Sequence, residues 1–456
     1  MNKRGNGGTI VFMSILILLG VAGYFIYNST MFEREKPKIV IEDVLYWNLK
    51  EPLNFKITDN EKLKFYKIAL TDGQNDIVLS SNVLNEPKKE VTEELKVPKW
   101  ALSINKKELY FVVEAVDGSN WNFFQGNKEV KNFKVIIDTK KPNTYLINSS
   151  YKITRGGSAL SIFRAEDENL DSITIETNYG KNLTPIPFYK KGYYLILAPW
   201  NIDSNEFNAK VVAKDKAGNI SILPLKHFIE NKKYKSSNIT LKDDFLNGKI
   251  TSLFEELNPE VDAQTPLEKF MYINEKERQK NEDLIHEITS KVPQNLIDNF
   301  SIELFYPLRN GASVASFGDK RYFFYNNKQV SQSSHVGLDL ASTEIADITA
   351  NDSAEVVYVG FNGIYGNMLI LYHGLGIFSL YAHCSSVLVS KGNIVKKGDI
   401  IAKTGKTGLA IGDHLHFGIL IQGVEVRPEE WMDKSWIKTN IYEIIENAKK
   451  LIDNAS

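Results

Sequence analysis

The 456-residue chain has a single cysteine, Cys384, so neither an intramolecular disulfide framework nor a cysteine-rich zinc site can form. It lacks an excess of either charge. With 55 basic side chains against 56 acidic ones, nothing argues for a nucleic-acid partner. A His-Glu-x-x-His sequence is also absent, which excludes the helical zinc-protease arrangement. At this length one hydrophobic core is too few, and two to four domains are expected.

Residues 5–32 carry no charge, and Thr9 to Tyr27 is apolar apart from small or weakly polar interruptions. As a helix that run crosses a hydrocarbon core of ~30 Å. Lys3 and Arg4 precede it, which places the N-terminus in the cytoplasm and everything after Asn28 outside the cytoplasmic (inner) membrane. The chain thus reads as a single-pass membrane protein with an extracytoplasmic body. A cleaved signal peptide is the competing reading, with Gly20-Val-Ala22 as the cut. Tyr24-Phe-Ile-Tyr27 continues the apolar run past that cut and favours the anchor.

From Pro37 to about Glu230 the pattern is of short β-type runs between turns: Lys38–Ile41, Leu109–Val113, Phe133–Ile137, Ser172–Thr177 and Tyr193–Leu197. These runs are rich in β-branched and aromatic residues and read as all-β sandwich material. Val113-Glu-Ala-Val-Asp117 and Val211-Val-Ala-Lys-Asp215 repeat at an interval that suits one immunoglobulin-sized sandwich per copy. Such a region is expected to serve as a spacer that holds the C-terminal domain away from the membrane, with binding of wall glycan or a partner as the alternative.

Residues 240–300 turn helical. Thr265-Pro-Leu-Glu268 has the makings of a capping box with proline at the first helical position. The charged run Glu275–Asp283 reads as a solvated helix face, with a lid over the downstream site as its functional alternative. Beyond Trp436, Ile441, Ile444, Ile445, Ala448, Leu451 and Ile452 fall at helical spacing and mark an amphipathic helix that docks on the protein itself or on a partner.

The chemistry lies between Ser334 and Trp431. Read as a strand, His335-Val-Gly-Leu-Asp339-Leu points His335, Gly337 and Asp339 to one side and Val336, Leu338 and Leu340 to the other. Glycine between the two polar residues removes the side chain that would separate them. His414-Leu-His416 likewise presents two imidazoles on one face. Two histidines and one aspartate make a three-ligand set typical of catalytic zinc, with a fourth position left for water. For His227, His286 and His373 structural or hydrogen-bonding roles are expected, and for Cys384 that of a small buried filler.

This stretch resembles the LytM-type M23 family of zinc metallopeptidases that cut peptide bridges in peptidoglycan. The resemblance rests on Phe305-Tyr-Pro, Ser316-Phe-Gly318 with Arg321, His335-x-Gly-x-Asp339, Tyr365-Gly-Asn367, Leu380-Tyr-Ala-His383, Val395-Lys-Lys-Gly398 with Ile401 and Gly405, His414-Leu-His416-Phe417, and Arg427-Pro428 with Trp431. It implies one zinc ion held by His335, Asp339 and His416, with His383 and His414 as catalytic groups facing the metal. Gly418 departs from the glutamate the family often has there, and Tyr322 and Tyr325 are candidates for an auxiliary tyrosine. The linker motifs Asp138-Thr-Lys-Lys-Pro142 and Lys214-Asp-Lys-Ala-Gly-Asn219 resemble those of tandem bacterial Ig-like domains.

The expected architecture is multidomain and mainly β. It comprises a cytoplasmic stub and transmembrane anchor (1–36), Ig-like sandwiches (37–140 and 141–232), a helical connector (233–300), an antiparallel-β peptidase domain (301–432) and an amphipathic helix (433–456). The expected function is a membrane-anchored zinc endopeptidase acting on peptidoglycan stem peptides in wall remodelling, with wall proteins as candidate partners. The alternative is a non-catalytic LytM-like regulator of another wall hydrolase.

Overall fold

The computed structural model describes residues 7–42, 44–74, 76–96 and 108–455. Lys3 and Arg4, which carry the orientation argument, lie outside them. The uncharged run forms the helix Gly7–Asn28, long and apolar enough to cross a membrane by length and composition, with none of it buried.

The chain divides into two compact units, one of residues 1–141 with 169–171 and 214–220, the other comprising the remainder. In the first, alternating apolar residues build a six-stranded sheet. Its centre is a long antiparallel hairpin, Leu53–Thr71 with Asp76–Leu95, on which Glu108–Asp117 and Lys128–Ile137 pair in turn. Leu109, Phe111, Val113 and Ala115 are buried while Tyr110 between them is exposed, the period-two pattern of a one-sided sheet. Phe111 anchors the core, its ring 5.0 Å from Phe55 and 5.9 Å from Trp47.

In the second unit the strands Ile186–Pro187, Tyr193–Pro199, Ser158–Glu166 and Asn143–Ser149 form a four-stranded sheet. Here the alternation fails, because both faces are covered. Leu160, Ile162, Leu195 and Leu197 share one apolar cluster with Leu338, Leu340, Phe417 and Trp431 of the C-terminal domain, while Ala159 packs on the other side with Trp200. This sheet is therefore a wall of the C-terminal domain's own core and not a detached spacer. Polar ties reinforce it: Gln422 exchanges hydrogen bonds with the Thr184 backbone at 2.8 and 2.9 Å, and Arg427 N donates to Gly156 O at 2.7 Å. The amphipathic helix Glu443–Asn454 docks here too, burying Ile445, Ala448 and Ile452 and leaving Leu451 exposed. Asn148 Nδ2 donates to Ile444 O at its first turn.

Glu430 is an ionisable group buried in this junction beside Arg427. It is buried, its carboxylate accepts from Ser158 N at 3.1 Å, and burial, outweighing the Arg427 charge, pushes it up to about 8. The unfolded chain releases this proton from about pH 4.5, whereas the folded chain keeps it to about 8. The proton-linked stability is therefore complete below pH 4.5 and is lost as pH rises through 8. Glu430→Gln is expected to flatten this loss, so that thermal melts at pH 5 and pH 9 differ less in the variant than in the parent.

The C-terminal domain is an eight-stranded sheet in the order Ala312–Ala315, Leu338–Ala341, Leu415–Ile421, Ile377–Cys384, Asn367–Tyr372, Ala354–Phe361, Ile394–Val395, with Val424–Val426 beside Leu415–Ile421. One face meets the cluster just described. The other, with Met368, Ile370, Leu380 and Leu420, is covered by Phe270, Ile273 and Ile285 from the helices of residues 243–289. Burial on both faces explains why Ile377–Cys384 reads as one continuous buried run. The capping box forms as expected, Thr265 Oγ1 accepting from Glu268 N and Glu268 Oε2 from Thr265 N.

The charged run of the next helix is not a solvated face throughout. Asn274, Glu277 and Asn281 are buried, because Asn281 Oδ1 accepts from Ile364 N at 2.8 Å, Asn362 Nδ2 donates to Asn281 O, and Asn274 Nδ2 donates to Ser331 Oγ. The helix thus supplies the hydrogen bonds that the loop at Gly363–Tyr365 lacks, and through Arg278 it lines the cleft.

Candidate active site

Leu338–Ala341 and Leu415–Ile421 are adjacent antiparallel strands, with Asp339 directly opposite His416. Leu415 and Phe417 turn into the core, which leaves His414 and His416 on the other face. The strand reading of the first motif holds only from Leu338 onward. The chain bends at Gly337, so His335 reaches the site from the preceding segment and Val336 lines the cleft instead of the core. The reason is spatial. A Cβ on Gly337 would lie 2.4 Å from His416 Cε1 and 2.9 Å from Phe417 O, so the imidazole occupies the space a side chain would fill.

His335 Nε2, Asp339 Oδ1 and His416 Nδ1 stand 3.0, 2.8 and 3.2 Å apart. Three donors around a tetrahedral zinc at ~2.0–2.1 Å are ~3.3 Å from one another. The chemistry of the set agrees with such an ion. His335 Nδ1 donates to Ser316 O at 2.9 Å, which leaves Nε2 unprotonated in the neutral ring and aimed, lone pair to lone pair, at a carboxylate oxygen. A cation between them resolves that conflict. Burial pushes the Asp339 carboxyl up, but the adjoining His335 and His416 imidazoles outweigh it and hold it well below the usual carboxylate range. Burial, against the pull of Asp339, lowers His416.

His383 and His414 share the cleft of about 460 Å³ that holds the trio. Their ring centroids are 4.8 Å apart, and His414 Nε2 is 3.8 Å from Asp339 Oδ2. His383 sits at a break in its ladder in the left-handed region, φ +61°, which re-aims its side chain. Its Nδ1 donates to Thr407 O and that of His414 to Gly412 O, so both present a free Nε2. Burial first, then the neighbouring imidazoles, push His383 down to about 3, and it is neutral at physiological pH.

All five residues singled out in the sequence meet here. Tyr322 and Tyr325 do not: Tyr325 Oη donates to Asp243, and the tyrosine of the cleft is Tyr365, its ring 5.6 Å from His416. Position 418 faces Leu380 and Leu420, an apolar setting with no use for a carboxylate. His373 bonds Ser379 Oγ, His227 the Ser150 carbonyl, and His286 pairs with Glu425. Burial pushes the Cys384 thiol up to about 12, which makes it a filler and not a nucleophile. Two guanidinium groups also stand here: Arg321, part of the motif with Ser316-Phe-Gly318, and Arg278, which no motif marks. Arg321 Nη2 lies 4.0 Å from Asp339 Oδ2. Arg278, from the helical wall, lines the same cleft and donates to Asn274 O and Oδ1.

Residues 333–428 match the model of peptidase family M23. The DD-carboxypeptidase/endopeptidase Mpg of Neisseria meningitidis serogroup B is 35% identical over 94 residues, which are 21% of this chain and 22% of that protein. Peptidoglycan DD-endopeptidase ShyB of Vibrio cholerae is 35% identical over 88 residues, 19% and 21% of the respective chains. Murein hydrolase activator NlpD of Salmonella dublin is 35% identical over 108 residues, 23% and 28%. The chain thus spans between 21% and 28% of the length of these relatives. Its mainly-β C-terminal part, with the His335, Asp339 and His416 cluster at its centre, is a domain of peptidase family M23.

Proposed function

We propose that this protein is a zinc-dependent endopeptidase that hydrolyses peptide cross-links of peptidoglycan, held at the cytoplasmic membrane by its N-terminal helix with its body outside. The observation that carries the reading is the convergence, in one open cleft, of a three-donor set and two further imidazoles with free Nε2 atoms. His335, Asp339 and His416 would hold zinc, which supplies Lewis-acid polarisation of the scissile carbonyl and a more acidic attacking water. His414 would accept the water's proton and pass one to the departing amine, and the neutral His383 would orient the water through its free Nε2. Their Nδ1–H bonds to backbone carbonyls keep each ring in the tautomer this needs. Two curated relatives named as peptidoglycan or DD-endopeptidases support the substrate class.

Arg278 and Arg321 give the cleft two fixed cations, suited to a stem-peptide carboxylate. Arg278→Met is expected to lower kcat/KM about 10- to 100-fold, the worth of one charge-assisted hydrogen bond, with zinc content unchanged. Steady-state kinetics beside metal analysis checks this.

A second reading, activation of another wall hydrolase, draws on the relative named as a murein hydrolase activator. Incubating the full chain with purified peptidoglycan separates the two. The proposal expects peptide-cleaved fragments by mass spectrometry, lost on chelation and restored by zinc. Zinc-loaded protein that releases nothing, yet stimulates a second hydrolase, supports the regulator instead.

A further inference from the structure

A second cluster of acidic groups, in the first compact unit, lies outside everything the peptidase reading uses. Glu33, five residues past the end of the apolar helix, Asp59 within the long hairpin strand, and Asp117 at the end of Glu108–Asp117 bring one carboxylate oxygen each within 4.8 Å of one another. Asp59 and Asp117 are buried, at 8% and 0% exposure.

Most of the oxygens have neutral donors. Asp117 Oδ1 accepts from Ser119 N and Asn127 N, and its Oδ2 from Asn127 Nδ2. Glu33 Oε1 accepts from Asn127 Nδ2, and its Oε2 from Glu35 N and Asn60 Nδ2. Asp59 Oδ1 accepts from Glu61 N and Lys62 N. Asp59 Oδ2 is different: it is buried and has no hydrogen-bond partner. Leaving a buried carboxylate oxygen unsatisfied beside two other carboxylates is costly twice, through desolvation and through like-charge repulsion. Among the described residues, no lysine or arginine forms an ion pair with any of the three.

We propose that Glu33, Asp59 and Asp117 form a calcium site that ties the segment following the apolar helix to the first β module. An all-oxygen donor set suits a hard cation. Oxygens up to 4.8 Å apart fit calcium, which holds its ligands at ~2.3–2.6 Å in adaptable geometry, better than the smaller and stricter magnesium. Asp59 Oδ2 is a buried carboxylate oxygen that no protein group satisfies, as a cation ligand would be. The three residues come from segments far apart in sequence, so an ion there cross-links the base of the module.

The test uses the full chain in detergent, zinc-loaded, with Asp59→Asn as the variant. Asparagine keeps the Oδ1 acceptor for Glu61 N and Lys62 N, removes the charge and puts an amide donor, free to face the two remaining carboxylates, in place of Oδ2. Equilibrium dialysis against radiolabelled calcium at ~1 mM, a level suited to extracellular modules, is expected to show one fewer calcium per chain in the variant, with excess magnesium competing poorly. Calcium is expected to raise the parent's melting temperature more than the variant's. In chelator the variant should melt no lower than the parent, since it has lost repulsion and no bond. Equal calcium counts in both proteins, or a variant that melts well below the parent without calcium, would overturn the proposal. Should Asp59→Asn fail to fold, Glu33→Gln, at a half-exposed position, carries the same comparison of counts.

Discussion

Asp339→Asn is expected to lower kcat/KM on peptidoglycan fragments by about 10³-fold or more while the protein stays folded. Asp339 Oδ1 stands 3.0 Å from His335 Nε2 and 2.8 Å from His416 Nδ1, and the two imidazoles hold its carboxyl well below the usual carboxylate range against burial. An amide offers the same shape without the charge and turns one of its two positions into a donor, which cannot face a cation. The loss corresponds to the several kcal/mol a metal contributes to transition-state stabilisation. Because the trio acts as a unit, removal should not add. Chelation is expected to bring the parent down to the level of the variant and to leave the variant unchanged. A variant that keeps most of its activity, or that loses still more on chelation, would show that hydrolysis does not depend on this donor set.

Gly337→Ala comes second in expected effect, although the residue it changes has no functional group. The new methyl would meet His416 Cε1 at 2.4 Å, Nε2 at 2.5 Å and, on the other side, the Phe417 carbonyl at 2.9 Å. The carbonyl belongs to a strand buried on both faces and cannot retreat, so the imidazole must. His416 Nδ1 then leaves Asp339 Oδ1, and a displacement of about 1 Å in a reacting constellation costs on the order of 10²-fold in rate. Metal affinity is expected to fall by about 10- to 100-fold, as when the support of a ligand is lost. Far-ultraviolet dichroism should match the parent. Rates measured across a zinc titration distinguish the two effects: partial rescue at high zinc marks weakened binding, and a residual deficit at saturation marks misplacement.

The polar centre of this site was legible because its residues lie in two short stretches, His335–Asp339 and His414–His416; alternation places the second pair on one face, while a bend at Gly337 brings His335 to Asp339 from the preceding segment. Glycine at 337 was legible as well, although its reason turned out to be the ring of His416 and not the gap between His335 and Asp339. What escaped belongs to side chains and backbone groups recruited from elsewhere. Arg278 sits in a charged helical run with no motif around it, and only the docking of that helix on Gly363–Tyr365 brings it into the cleft. The carbonyls of Ser316, Thr407 and Gly412, which orient three imidazoles, leave no mark in the sequence.

The β content was likewise legible in the alternation of Leu109–Ala115, where one face is solvated. Tyr193–Pro199 and Ile377–Cys384 show no such alternation, since strands covered on both sides lose their period, and the β-type run at Tyr193–Leu197 is legible only from its aromatic and apolar content. The outer strand of the long hairpin, Asp76–Leu95, is mostly polar and exposed, so its membership depends on pairing with Leu53–Thr71 and not on burial. Val336 shows the opposite error. A regular pattern placed it in the core, and a bend at one glycine moved it to the cleft.

Anomalous diffraction at the zinc edge from crystals of the purified full chain tests the central claim most directly. One strong peak is expected among His335 Nε2, an Asp339 carboxylate oxygen and His416 Nδ1, with His383 and His414 facing it from outside bonding distance. Crystals grown with zinc that show no peak there, or a peak bound by other side chains, would contradict it.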